Sequence, residues 1–204
     1  MWIVKNFKFI LISLLGISIL FNGYLFYQKI NLDKKVSEIQ KYLLDLGRLS
    51  GIDNYGSTHI HADIKIYLNG EELNLYSPEN FEKNQFVHFH ETKDKTKPND
   101  NVIHIHAKGI TLKHFFKSLG IELEKNCFTY NLKRYCNDGK NTLKIYVNGK
   151  RIDNYADYEI KDLDKILVSY GSENEKEIQK QINSVGNNSK FHSTKFNFEC
   201  GDGC

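Results

Sequence analysis

The sequence lacks the short motifs that identify the commonest enzyme chemistries. It has no glycine-rich phosphate loop, no His-Glu-x-x-His helix and no Gly-x-Ser-x-Gly turn. Its formal charge is only +3, with basic and acidic residues interspersed, so no basic cluster favours nucleic acid as a partner. The chain has only two prolines and many Asn, Lys and Ile residues, a bias of composition that is not a functional signal. These absences make an enzyme the less favoured class and argue against nucleic acid.

An uncharged, mostly apolar run from Phe9 to Tyr27 dominates the N-terminus. About twenty apolar residues are needed for a helix to cross a bilayer. No small-x-small cleavage site follows the run, so residues 1–28 are predicted to be an uncleaved anchor rather than a cleaved signal peptide. Lysines flank both ends of this run, so the positive-inside rule barely discriminates between the two orientations of the helix in the membrane. The short N-terminal tail and the paired cysteines favour a single-pass protein of the cell membrane with an extracytoplasmic C-terminal domain.

Residues 29–50 are predicted to form a helical stalk. Apolar residues recur at three- and four-residue steps with polar residues between them, at Leu25, Leu32, Val36, Ile39, Leu43 and Leu46. This spacing is typical of a coiled coil that makes a homodimer, and equally of one amphipathic helix lying on the domain or on lipid. Glycines and the 53–57 stretch then indicate a linker.

Three His-x-His pairs are the most informative feature. They hold six of the eight histidines, at His59, His61, His88, His90, His104 and His106. Each pair lies in an alternating apolar run, so the strand period of two places both imidazoles on one face and the apolar residues on the core face. Histidines at i and i+2 of a strand can chelate one ion. If the strands are neighbours, the six imidazoles form one patch for one or two ions.

The domain at 58–171 is predicted to be α+β. Asn-Gly turns at Asn69 and Asn148 predict two hairpins, Thr111 to Gly120 predicts a helix, and 165–171 predicts a closing strand. The similar segments 64–76 and 143–155 indicate either an internal duplication or two independent hairpins. This order of elements resembles the β-grasp (ubiquitin-like) fold, which implies a mixed sheet with one packed helix. The chain also resembles uncharacterised membrane-anchored His-x-His proteins of archaea and small-genome bacteria.

The four cysteines fall into two pairs. Cys127 and Cys136 are predicted to form a disulfide, because an even count outside the cytoplasm favours disulfides. Cys200 and Cys204 end a polar tail, 172–204, as Cys-x3-Cys. They could form another disulfide, capture a soft ion such as Cu(I) and pass it to the histidines, or exchange thiols with an unknown protein partner.

These patterns predict a membrane-anchored protein that binds zinc or copper through its histidines. The auxiliary ligand candidates are Asp63, Glu91, His114, Cys200 and Cys204, and no residue is assigned a catalytic role. Two alternatives stay open. One is a structural or interaction module whose histidines pack without an ion, and the other is a thiol-disulfide exchange protein.

Overall fold

The computed structural model describes residues 2–77, 80–81, 84–89 and 101–192, and within α1 it leaves out the side chains of 2–13, 43–45 and 47–49. The chain divides into two compact units, Met1–Ser50 and Gly51–Cys204. Among the described residues the second unit is mixed α+β with a mixed sheet, as predicted at that level.

The first unit is one continuous helix, α1 (Trp2–Leu49). Its described apolar side chains between Leu14 and Tyr27 are exposed, and so are Leu32, Val36 and Ile39 of the predicted stalk. Among the residues searched, no helix is both long enough and apolar enough to cross a membrane. Residues 9–13, the start of the predicted span, lie outside the described side chains. The anchor and the pairing of stalks stay predictions.

The second unit begins earlier than the predicted boundary at Thr58. Asp53 N donates to Lys108 O at 3.0 Å, and Gly56 N donates to His106 O at 2.7 Å. The Ser57 hydroxyl accepts from Lys108 N at 3.0 Å. The 53–57 stretch, which was predicted to belong to a linker, is therefore hydrogen-bonded to the domain.

The described part of this unit contains ten strands and two helices of more than one turn. In chain order they are β1 (Ile60–Leu68), β2 (Glu71–Leu73), β3 (Val87–Phe89), β4 (Val102–Ile105), α2 (Leu112–Ser118), β5 (Glu122–Glu124), β6 (Cys127–Tyr130), β7 (Lys133–Cys136), β8 (Thr142–Val147), β9 (Lys150–Ile152), β10 (Lys165–Gly171) and α3 (Glu175–Ser184).

The main sheet has the order β3-β4-β1-β10-β8-β9, with β2 also paired to β1. β1 and β10 run parallel at its centre, and the other pairs are antiparallel. Both Asn-Gly turns are hairpins, with positive φ at Asn69 (55°), Gly70 (83°), Asn148 (53°) and Gly149 (77°), as type I′ turns require.

One face of the main sheet, the core face, packs against α2. It carries the apolar phase of the His-x-His strands, including Ala62, Phe89 and Ile103, all fully buried. Phe115 of α2 contacts Phe89 edge to face, with ring centroids 5.4 Å apart. Thr111 caps α2 as predicted. The core therefore fixes the face on which the histidines must lie.

A second, smaller sheet has the order β5-β6-β7. Cys127 and Cys136 are directly opposed in its β6–β7 pair and form the predicted disulfide. Phe128 between them packs against Phe116 of α2. The bridge therefore closes a hairpin that covers the end of the core.

The opposite face of the main sheet is also covered. α3 packs against β10, and its last residue, Ser184, bonds through its hydroxyl to the Tyr67 hydroxyl at 2.9 Å. The chain after α3 continues along β1. The polar segment that begins at 172 is thus part of the folded unit as far as the structure describes it, through His192.

Candidate metal centre

Strand register brings histidines from three strands into one row. His61 of β1 lies opposite His104 of β4, and His104 lies opposite His88 of β3. Directly opposed residues have Cβ atoms about 4.5–5.5 Å apart. The His61 and His104 rings are 4.5 Å apart between centroids, and the His88 and His104 rings are stacked at 6.1 Å. This is the face-sharing that the strand period predicted.

A second row begins just beyond the paired strand ends. His59 precedes β1 and His106 follows β4, and their ring centroids are 4.7 Å apart. The backbone holds this end in place, because His106 N donates to Phe86 O at 2.9 Å. His106 also lies 5.1 Å from His88 between ring centroids. The five described motif histidines, His59, His61, His88, His104 and His106, therefore form one group, here named the histidine cluster.

Three members of the cluster can share an ion. One ligand atom from each of His59, His61 and His104 lies within 4.8 Å of the others. Tetrahedral zinc with Zn–N bonds of about 2.0–2.1 Å separates its nitrogens by about 3.3 Å. The three ligand atoms would therefore have to approach one another by at most about 1.5 Å to bind one zinc ion.

The cluster is buried on one side and open on the other. His61 and His104 are each only 2% exposed, whereas His59 is exposed. Partial burial lowers the pKa of the His59 imidazole below its ordinary value of 6.5, the Asp162 carboxylate opposes this shift, and the charge of His88 adds to it. The net effect favours the neutral ring, the form that binds metal.

Hydrogen bonding fixes the tautomer of His88. Its Nδ1 lies 2.6 Å from the Asn84 carbonyl oxygen, and a carbonyl can only accept, so Nδ1 carries the proton. In the neutral ring the lone pair is then on Nε2. Metal-binding histidines are commonly oriented by such a bond from the other ring nitrogen.

The C-terminal segment Gly186–His192, here named the C-terminal strap, covers part of the cluster. The His192 ring lies 4.9 Å from the His104 ring and 5.7 Å from the His61 ring, between centroids. His192 belongs to no His-x-His pair, and nothing local in the polar 172–204 segment sets its distance to β1. For that reason the sequence pattern did not predict His192 as part of the site.

The auxiliary candidates divide into three groups. Asp63 lies on the same face as His61, and its carboxylate accepts hydrogen bonds from Asn188 and Ser189 in the strap; its role as an auxiliary ligand stays a prediction. The His114 ring accepts from Thr111 N at 3.2 Å and completes the capping box of α2. His90, Glu91, Cys200 and Cys204 lie outside the described residues.

No protein-family model, curated protein or solved structure matches this chain. The chemistry of the site is therefore inferred from its own residues. Its described candidate ligands are imidazole nitrogens, a donor set that suits Zn(II), Cu(II) and Ni(II).

Proposed function

We propose that the chain binds a transition-metal ion, zinc or copper first, and that His59, His61 and His104 supply the ligand atoms. The observation that carries this proposal is their geometry, with ligand atoms from three imidazoles within 4.8 Å of one another. His88 and His106 extend the same donor set. The cluster would then take one ion or two.

Burial supports the ligand role because it holds the rings in place. Four cluster histidines are almost completely buried beside one another, and side chains that are already ordered lose little freedom when an ion binds. Metal binding to a folded site also stabilises that fold.

Binding is favoured over catalysis. A catalytic zinc site combines three protein ligands with an open position and a nearby base. Asp63, a carboxylate of the same strand, is held by the strap. We therefore propose a protein that holds or hands on an ion.

The wider setting is proposed on the sequence. The uncharged run from Phe9 to Tyr27, with exposed apolar side chains from Leu14 onward, supports a membrane anchor. The Cys127–Cys136 disulfide supports an extracytoplasmic domain, because disulfides persist in oxidising compartments. We also propose a β-grasp-like topology, supported by the central parallel pair β1–β10 and the flanking hairpin β8–β9. Pairing through the stalk would make a homodimer.

Metal analysis of the purified full-length protein tests the function. We expect about one or two ions per chain in the wild type, and none in the double variant His61→Ala/His104→Ala. His114→Gln is the matched control, because His114 lies on α2 and Gln keeps a cap acceptor.

An empty wild type that stays folded and takes up neither added zinc nor added copper would sink the proposal. That result would favour a module whose histidines only pack. Rapid cycling of Cys200 and Cys204 between thiol and disulfide, in a protein without metal, would favour thiol exchange.

A further inference from the structure

We propose that His192 is a further ligand of the ion, so that metal binding clamps the C-terminal strap over the histidine cluster. The inference rests on the proposed function and adds a residue from a part of the chain distant in sequence. The separation of the His192 and His104 ring centroids, 4.9 Å, equals that of His59 and His61. By ring position His192 is therefore as close to His104 as His59 is to His61. The group of three ligand atoms within 4.8 Å of one another does not include His192, so its ring would have to move closer when the ion binds.

A buried carboxylate positions the strap. Asp63 Oδ1 accepts from Asn188 N at 2.7 Å, and Asp63 Oδ2 accepts from the Ser189 hydroxyl at 2.5 Å and from Ser189 N at 3.2 Å. Asp63 is 3% exposed and Ser189 is 1% exposed. Hydrogen bonds to an ionised acceptor are about twice as strong as neutral ones. This contact therefore fixes the strap on the sheet.

The spacing along both elements carries His192 to the ion. Asp63 and His61 are two residues apart in β1, so they share a face. Residues 189–192 form a helical turn, and residues three apart on a helix lie on the same side. Because Ser189 contacts Asp63, His192 lies one turn further along the same side, beside His61.

Gly186 allows the close approach of the strap to β1. A Cβ atom built there would lie 3.3 Å from Asp63 Oδ1, which is tighter than an ordinary contact. Val185, just before the strap, is buried and anchors the end of α3. The strap is thus held at its start by packing and in its middle by Asp63, and the ion would hold its end.

Four imidazoles complete a tetrahedral zinc site, whereas three leave an open position. With His192 bound, the site would be closed and suited to retaining an ion. Release would require the strap to leave.

The first test compares metal affinity in full-length wild type, His192→Gln and the control His114→Gln. We expect His192→Gln to bind Zn(II) or Co(II) about tenfold or more weakly, to change the visible spectrum of bound Co(II), and to keep the wild-type circular dichroism. Wild-type affinity and spectrum in His192→Gln, with binding abolished in His61→Ala/His104→Ala, would overturn the inference while the proposed function stands. Failure of the wild type to bind any ion would instead overturn the proposed function.

The second test reads the strap itself. Lys190 is exposed within the strap, so trypsin can report on the Lys190–Phe191 bond by mass spectrometry. We expect zinc to slow this cleavage in the wild type and to have no effect on its rate in His192→Gln. Equal protection by zinc in both proteins would contradict the inference.

Asp63→Asn tests the positioning role. We expect the Co(II) spectrum of this variant to shift toward that of His192→Gln, because a neutral amide holds the strap less firmly. An unchanged spectrum and affinity would remove Asp63 from the account.

Discussion

The two faces of the main sheet are both buried, but by different kinds of side chain. On the core face, Ile103 and Phe89 pack against the aromatic residues of α2. The next residues along the same strands point to the opposite side, the histidine face. There His61, His88 and His104 present imidazole rings, which the strap partly covers. Adjacent residues of one strand thus face two environments.

The difference separates the side chains that stabilise the fold from those that the proposed metal site would use. Burying an isoleucine contributes about 1.5–3 kcal/mol, whereas burying a polar ring costs free energy unless it is compensated. The core face therefore supplies stability through apolar burial, whereas the proposed metal binding depends on the imidazoles of the histidine face.

The sharpest comparison uses two neighbours in β4, Ile103 and His104. We expect Ile103→Ala to lower the free energy of unfolding by about 2–5 kcal/mol, with or without metal, because it leaves a cavity in the core. We expect His104→Ala to cost less in metal-free protein and to abolish the stabilisation by added zinc, which for the wild type is about 2.7 kcal/mol at a hundredfold excess over Kd. Denaturant unfolding with chelator and with zinc measures both quantities. Two results together would contradict the comparison. The first is that both variants lose the same free energy of unfolding in chelator, and the second is that zinc still stabilises His104→Ala.

Acidification should act on the histidine face first. Protons compete with metal for imidazole lone pairs, and the reference pKa of histidine is about 6.5. We expect the protein to retain its ion at pH 7 and to release it near pH 5, measured by metal analysis after dialysis at each pH. A depressed pKa, as at His59, moves release to lower pH. Retention that does not change between pH 7 and pH 4 would argue against imidazole ligands.

The sequence predicted which residues lie on the histidine face, but it did not predict that the C-terminal strap covers that face. The period of two placed Ile103 and His104 on opposite faces, since alternation is local. The register that sets His61 opposite His104 depends on the pairing of strands distant in the chain, and the sequence contained no signal for it. The same holds for Asp63, whose partners lie more than a hundred residues later.

The sequence does contain a local signal for α3. Asn174 and Glu177 form a capping box, and Ile178, Ile182 and Val185 follow at four- and three-residue steps, as on one side of a helix. That pattern predicts a helix that packs by one face. The approach of His192 to the histidine cluster, by contrast, arises only from tertiary packing.

His114 offers the smallest expected effect, as a histidine outside the cluster. Burial lowers its pKa below 6.5, the Gly109 hydrogen bond and Asp157 oppose this, and Lys113 and Lys117 add to it. A group with a depressed folded-state pKa binds more protons when unfolded, so its contribution is present above pH 6.5 and is lost as the pH falls through the folded value. We expect His114→Gln to lose less stability than the wild type between pH 7 and pH 5 in metal-free protein. Parallel stability curves for the two proteins would contradict this assignment.

X-ray absorption spectroscopy of the zinc-loaded full-length protein tests the central claim most directly. The account predicts nitrogen neighbours at about 2.0–2.1 Å, with the outer-shell scattering of three or four imidazole rings. Sulfur at about 2.3 Å would place the ion on cysteines instead. Oxygen neighbours without imidazole scattering would equally contradict a metal centre built from His59, His61 and His104.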